Sequence, residues 1–99
     1  MSSYVFTDKA EHDLEKIVDY SIEHWGDIQA VKYVDAIEEV VQMLADNPDL
    51  GLNRDVLSSG VFSFPCQYHI LYYIKAAHGV SVIRILHSSM DTVKHLKQR

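Results

Sequence analysis

The apolar positions of this chain change their spacing twice. "YVF" at 4–6 is a short β-prone run that stops at Thr7 and Asp8, either of which can cap a helix; Glu11 sits three residues beyond Asp8, as in a capping box. Ala10, Leu14, Ile17, Val18, Ser21 and Trp25 then recur at helical spacing with charged residues between them. This predicts an amphipathic helix over about 8–25, with Gly26 as its left-handed C-terminal cap. Asp27 is placed to cap a second helix whose apolar stripe is Val31, Val34, Ile37, Val41 and Leu44, and "DNP" at 46–48 ends it because proline disfavours helix at the residue before it. So short a link makes the two helices antiparallel, an αα-hairpin.

Residues 47–60 show neither period and are expected to form a long surface loop. After it the period becomes two. "VFSFP" (61–65), "QYHILYYIK" (67–75) and "VSVIRILH" (80–87) predict a three-stranded antiparallel meander, with "AAHG" as the short connection between the last two and Pro65 at a strand end or on an edge. A short C-terminal helix is expected from near Ser89 through Val93 and Leu96. The fold class is therefore α+β: an N-terminal strand, an αα-hairpin and the meander, in one domain spanning 1–99. In the last strand Ser81, Ile83, Ile85 and His87 alternate with Val80, Val82, Arg84 and Leu86, so both sheet faces receive apolar side chains. The hairpin can cover only one of them, leaving the other to the C-terminal segment or a partner chain. Arg84 is expected on the face away from the helices, reaching a carboxylate such as Asp91, because a lone charge in the helix-facing core would be expensive.

At 47% apolar and 23% charged residues, the chain has an ordinary soluble composition, and no run approaches the roughly 18 apolar residues that would span a bilayer. The N-terminus lacks the basic start and apolar stretch of a signal peptide, so a cytoplasmic location is expected, with no membrane partner. Cys66 is the only cysteine and reads as a small semi-buried thiol beside a turn. With no metal-ligand spacing such as HExxH, neither metal nor cofactor is expected. Charge is unevenly placed: residues 1–49 carry twelve Asp and Glu against three Lys, whereas residues 50–99 carry six Lys and Arg against two Asp. An acidic partner is expected on the C-terminal half.

Several stretches in this order resemble the ParE branch of the RelE/ParE toxin superfamily. They are "FTDKAEHDLEKIVDYSIEHWG", "NPDLG" followed by Arg54, "FSFP", "YHILYY" and above all "VIRILHSSMD", which is similar to that family's Arg-X-Leu-His closing strand. The resemblance covers nearly the whole chain. It implies the toxin half of a bacterial type II toxin–antitoxin pair, in which ParE-like members poison DNA gyrase and are silenced by an extended antitoxin segment. Leu52 and Asn53 stand where the family often has a further charge, and Ser88 and Ser89 where a glycine with a basic or small residue often follows the closing histidine.

Arg54, Tyr73, Arg84, His87 and Asp91 are the candidates for binding an antitoxin or target. Arg84, His87 and Tyr73 also have an ordinary reading. Arg84 suits an internal ion pair, His87 a strand-end backbone contact, and the tyrosines 68, 72 and 73 core positions with a wet hydroxyl. A competing function is ribosome-dependent RNA cleavage, as in the RelE branch, for which His87 could move protons. Against it, no Tyr follows Tyr73 and the acidic total disfavours docking on RNA, so no direct sequence-specific nucleic-acid binding is expected. An inactive antitoxin-binding module is the third reading.

Overall fold

A computed structural model describes residues 2–88. Its elements in chain order are β1 (Ser3–Phe6), α1 (Asp8–Trp25), α2 (Asp27–Asp46), β2 (Leu52–Asn53), β3 (Val61–Cys66), β4 (His69–Ala76) and β5 (Gly79–His87). The strands form one five-stranded sheet in the order β1-β5-β4-β3-β2. The expected meander is its antiparallel centre, but two strands enlarge it. β1 joins the far side of β5 in parallel, and the two-residue β2, within the segment expected to be loop, pairs with β3. Gln67 and Tyr68, expected to begin a strand, make the turn between β3 and β4 instead, with Gln67 at φ 54°. The C-terminal helix and Asp91 lie outside the described residues.

Thr7 caps α1 by accepting the Ala10 N–H on its hydroxyl at 3.2 Å. At the other end Gly26, at φ 88° and ψ 169°, donates its N–H to the Ile22 carbonyl and also opens α2. Only glycine takes that backbone shape readily. The expected cap on Asp27 is therefore not formed: Asp27 is the first residue of α2 and complements the helix dipole from there. The apolar stripe of α2 is also displaced, because Ala30 and Tyr33 are buried while Val31 is 60% exposed. The stripe returns to the expected positions at Ile37, Val41 and Leu44.

The helix-side core packs Ala10, Ile17, Ile37, Val41 and Leu44 against Leu71, Tyr73, Val80, Val82 and Ile85. A second cluster of Val61, Tyr72, Ile83 and Leu86 is buried separately from it. Neighbouring residues of β5 reach opposite clusters, but Val82 and Ile85, three apart, share the helix-side one because the alternation read from the sequence breaks between them. Tyr72 pairs with Arg84 but Tyr73 with Val82, so Ile83 is an extra residue in β5.

The irregular stretch lies where β1 ends. β1 covers β5 only as far as Val82, after which that side of β5 meets α1 instead. Thr7 donates its N–H to the Val82 carbonyl and its hydroxyl to the Ile83 carbonyl, at 3.0 and 3.1 Å. Asp13, 8% exposed, accepts the Ile85 N–H at 3.0 Å and both Nε and Nη2 of Arg84 at 2.8 and 3.0 Å. Arg84 thus stands opposite Tyr72, on the face expected for it, but its guanidinium turns to α1, and the carboxylate it finds there is Asp13. A charge in the core was expected to be expensive; a bidentate partner that also accepts a backbone N–H removes that objection.

Breaking a buried pair from one side leaves an uncompensated charge. Asp13→Ala is expected to destabilise the fold by about 3–5 kcal/mol in urea unfolding, and Asp13→Asn by less, because it retains an acceptor for Ile85. A loss below about 1 kcal/mol for Asp13→Ala would mean that water replaces the carboxylate at this edge.

Candidate functional site

The ion pair forms one wall of a groove of about 550 Å³ between α1, the first turns of α2, the β3–β4 turn and the end of β5. Asp13, Lys16, Ile17, Tyr20 and Trp25 approach from α1, Tyr33 from α2, Tyr68 and His69 from the turn and β4, and Arg84, Ile85 and His87 from β5. Helical spacing puts Asp13, Lys16, Ile17 and Tyr20 on one side of α1. Strand pairing sets His69 directly opposite His87.

Its upper part is aromatic and open. Tyr20 stacks on His24 at 3.9 Å between ring centroids and meets Trp25 edge-on at 5.6 Å. Trp25 and Tyr68 remain 52% and 62% exposed, so the expectation that Trp25 belongs to the buried stripe is corrected. The floor is polar but internally bonded. The Tyr33 hydroxyl lies 2.6 Å from His69 Nδ1, and the His69 and His87 rings meet edge-on at 5.4 Å. Burial holds the Tyr33 hydroxyl above its ordinary range, so it stays protonated; it also lies 3.4 Å from the Cys66 carbonyl as a donor, and the His69 tautomer sets which partner donates in the bond at Nδ1. Arg84 is held even more firmly protonated by its bonds to Asp13. With Arg84 and Asp13 neutralising each other, Lys16 is the remaining full charge among the lining residues.

Two of the sequence-derived candidates, Arg84 and His87, meet in this groove. Arg54 lies elsewhere, in the loop before β3. Tyr73 corrects another expectation: its ring is fully buried in the helix-side core, while its hydroxyl donates to the Pro48 carbonyl at 2.8 Å and accepts the Gly51 N–H at 2.9 Å. It therefore presents no surface to a partner and pins the loop after α2. Cys66 is buried at the end of β3, beside the turn, and burial pushes its thiol up. Sequence reasoning overlooked Asp13, Lys16, Tyr33 and His69. For Asp13 a signal existed, since it stands three residues after Ala10 and four before Ile17, on the buried row of α1. Among the described residues no three His, Cys, Asp or Glu side chains converge as a metal site. None of the helices described is long and apolar enough to cross a membrane.

Residues 4–92 match the family described as the ParE toxin of type II toxin-antitoxin system, parDE. The toxin ParE1 of Caulobacter vibrioides is 31% identical over 96 residues, covering 97% of this chain and 99% of its own length. Among solved structures, a chain of the chromosomal ParDE TA system from P. aeruginosa superposes with a TM-score of 0.74 at 26% identity, over 88% of this chain and 96% of that one. A chain of the YoeB-YefM complex from Staphylococcus aureus shares the fold at a TM-score of 0.58 and 17% identity, over 88% of this chain and 97% of that one.

His69 makes the groove sensitive to protons. Burial lowers its pKa below the ordinary 6.5 and the neighbouring His87 lowers it further, while Asp13 pulls it the other way. The folded chain then binds this proton more weakly than the unfolded one, so the stability involved is complete above about pH 6.5 and is lost as pH falls through that value toward the lowered one. The wild-type urea midpoint should accordingly drop more between about pH 7.5 and about pH 5 than that of His69→Gln, which retains an acceptor for Tyr33. Equal drops would show that His69 titrates alike in the folded and unfolded chains.

Proposed function

The chain belongs to the ParE toxin family of type II toxin-antitoxin systems, and from that premise we propose that an antitoxin segment seats in the groove and that the free toxin poisons DNA gyrase by binding it. The observation that carries this reading is the build of the groove: exposed aromatic rings above a floor whose polar groups are largely paired to each other. Aromatic anchors in a pocket supply much of the energy of protein interfaces, while Lys16 leaves room for one acidic contact. An extended or helical segment with apolar side chains and a carboxylate matches that chemistry. The solved chain at 26% identity comes from an assembly named as a ParDE TA system, which supports the same partner. Gyrase as the target, acting in the cytoplasm, is the family expectation carried to this chain.

A second reading, RNA cleavage, has one observation in its favour: His69, His87 and Tyr33 are joined in the same groove. Two histidines could remove a proton from an attacking hydroxyl and return one to a leaving oxygen. Stabilising the negative charge that builds on a phosphate calls for several free cations, and with Arg84 committed to Asp13 the groove lining offers Lys16.

Co-expression with the product of the adjacent open reading frame should give a single complex on size exclusion, and Trp25→Ala or Tyr68→Ala should weaken it by about tenfold or more. Purified toxin should inhibit gyrase supercoiling and leave ribosome-bound messenger RNA intact. Cleavage of that RNA, abolished by His87→Ala and without effect on supercoiling, would establish the second reading instead.

A further inference from the structure

The loop from Leu50 to Val56 combines rigidity with an unusual surface. Tyr73 clamps its start, Lys75 pairs with Asp49, and Leu52–Asn53 is stitched to β3. Beyond β2 the Arg54 N–H donates to the Val61 carbonyl at 2.7 Å, and the Arg54 carbonyl accepts the Leu57 N–H at 2.8 Å. Asn53 Oδ1 accepts the Asp55 N–H, and Asp55 Oδ1 accepts the Gly60 N–H, at 2.9 and 2.8 Å. A loop bonded at so many points has little conformational freedom left to lose on binding. Yet it carries Leu50, Leu52 and Val56 exposed, Val56 at 96%. Within this loop stands Arg54, which makes no side-chain hydrogen bond or ion pair among the described residues, and whose Nε is sealed from water without an acceptor. Arg54 as a whole is half-buried, so its side chain holds a positive charge at this surface with no carboxylate of its own among the described residues.

We propose that this loop is a docking prong for a target protein, with Leu52 and Val56 seated on an aliphatic patch and Arg54 taking a carboxylate beside it. A protein suits the prong better than a nucleic acid does. The surface offers aliphatic side chains and one uncommitted cation, Lys75 being engaged by Asp49, whereas a phosphate backbone calls for several cations and bases for exposed aromatic rings. None of the residues 50–56 lines the groove. An occupant of the groove and a partner on the prong therefore contact different residues. The proposal rests on the reading of the chain as a toxin that acts by binding.

Val56→Asp and Arg54→Gln test it in the full chain, scored by growth arrest on induced expression, antitoxin titration and melting temperature. Both variants should melt within about 2 °C of wild type, bind antitoxin within about threefold, and leave about tenfold more survivors. Undiminished arrest by both would overturn the prong while leaving the toxin reading intact. Loss of antitoxin binding in folded variants would also overturn it, by moving the loop into the antitoxin interface. A wild-type chain that arrests no growth would remove the toxin reading and the prong together.

Discussion

The carboxylate of Asp13 solves a problem that β1 creates by being short. Once β1 ends opposite Val82, β5 runs on with backbone groups facing the protein interior and no strand beside them. Buried amides without partners are not tolerated, so the first turns of α1 supply the missing bonds through Thr7 and Asp13. This sets α1 against the end of β5. The same carboxylate needs a counter-charge, and Arg84, beside the extra residue of β5, provides it with a bidentate fork.

The groove follows from that arrangement. Because α1 is fixed to β5 near Asp13, its last turns and the β3–β4 turn stand apart and leave Tyr20, Trp25 and Tyr68 open between them. Below them the cross-strand register brings His69 and His87 face to edge, and Tyr33 from α2 fixes the first of these rings. The polar floor is rigid because its members bond to each other, and the aromatic rim is exposed because no described element covers it. Such a combination favours capture of a complementary chain, with the rim supplying contact area and the floor supplying shape.

At the opposite edge of the sheet, Tyr73 does for the loop what Asp13 does for α1. One buried hydroxyl accepts an amide and donates to a carbonyl of the segment leaving α2, and a side chain at Gly51 would collide with that ring. The segment is thereby delivered to β3 as β2, so residues without periodicity become an ordered edge. Gly79 plays a related part beside β1: at φ 144°, it has no room for a side chain against Ser3, its parallel partner.

Local chemistry alone determined much of this molecule. The bounds of α1, the turn to α2 at Gly26, the end of α2 before Pro48 and the antiparallel centre of the sheet are written in period, caps and breakers, which act over a few residues. The family's closing strand was legible for the same reason, as a contiguous run. What tertiary structure decided involves residues far apart in the chain: the parallel seat of β1 on β5, the two-residue β2, the extra residue at Ile83 and the partnership of Asp13 with Arg84, 71 positions away. The carboxylate that Arg84 reaches was misjudged because its partner stands in α1, far away in the chain, and no local pattern marks either that pairing or the bulge beside it. The groove residues from α1, α2, β4 and β5 became one site only when strand register and a buried ion pair brought them together, since contacts between distant residues are chosen by the packing of the whole chain.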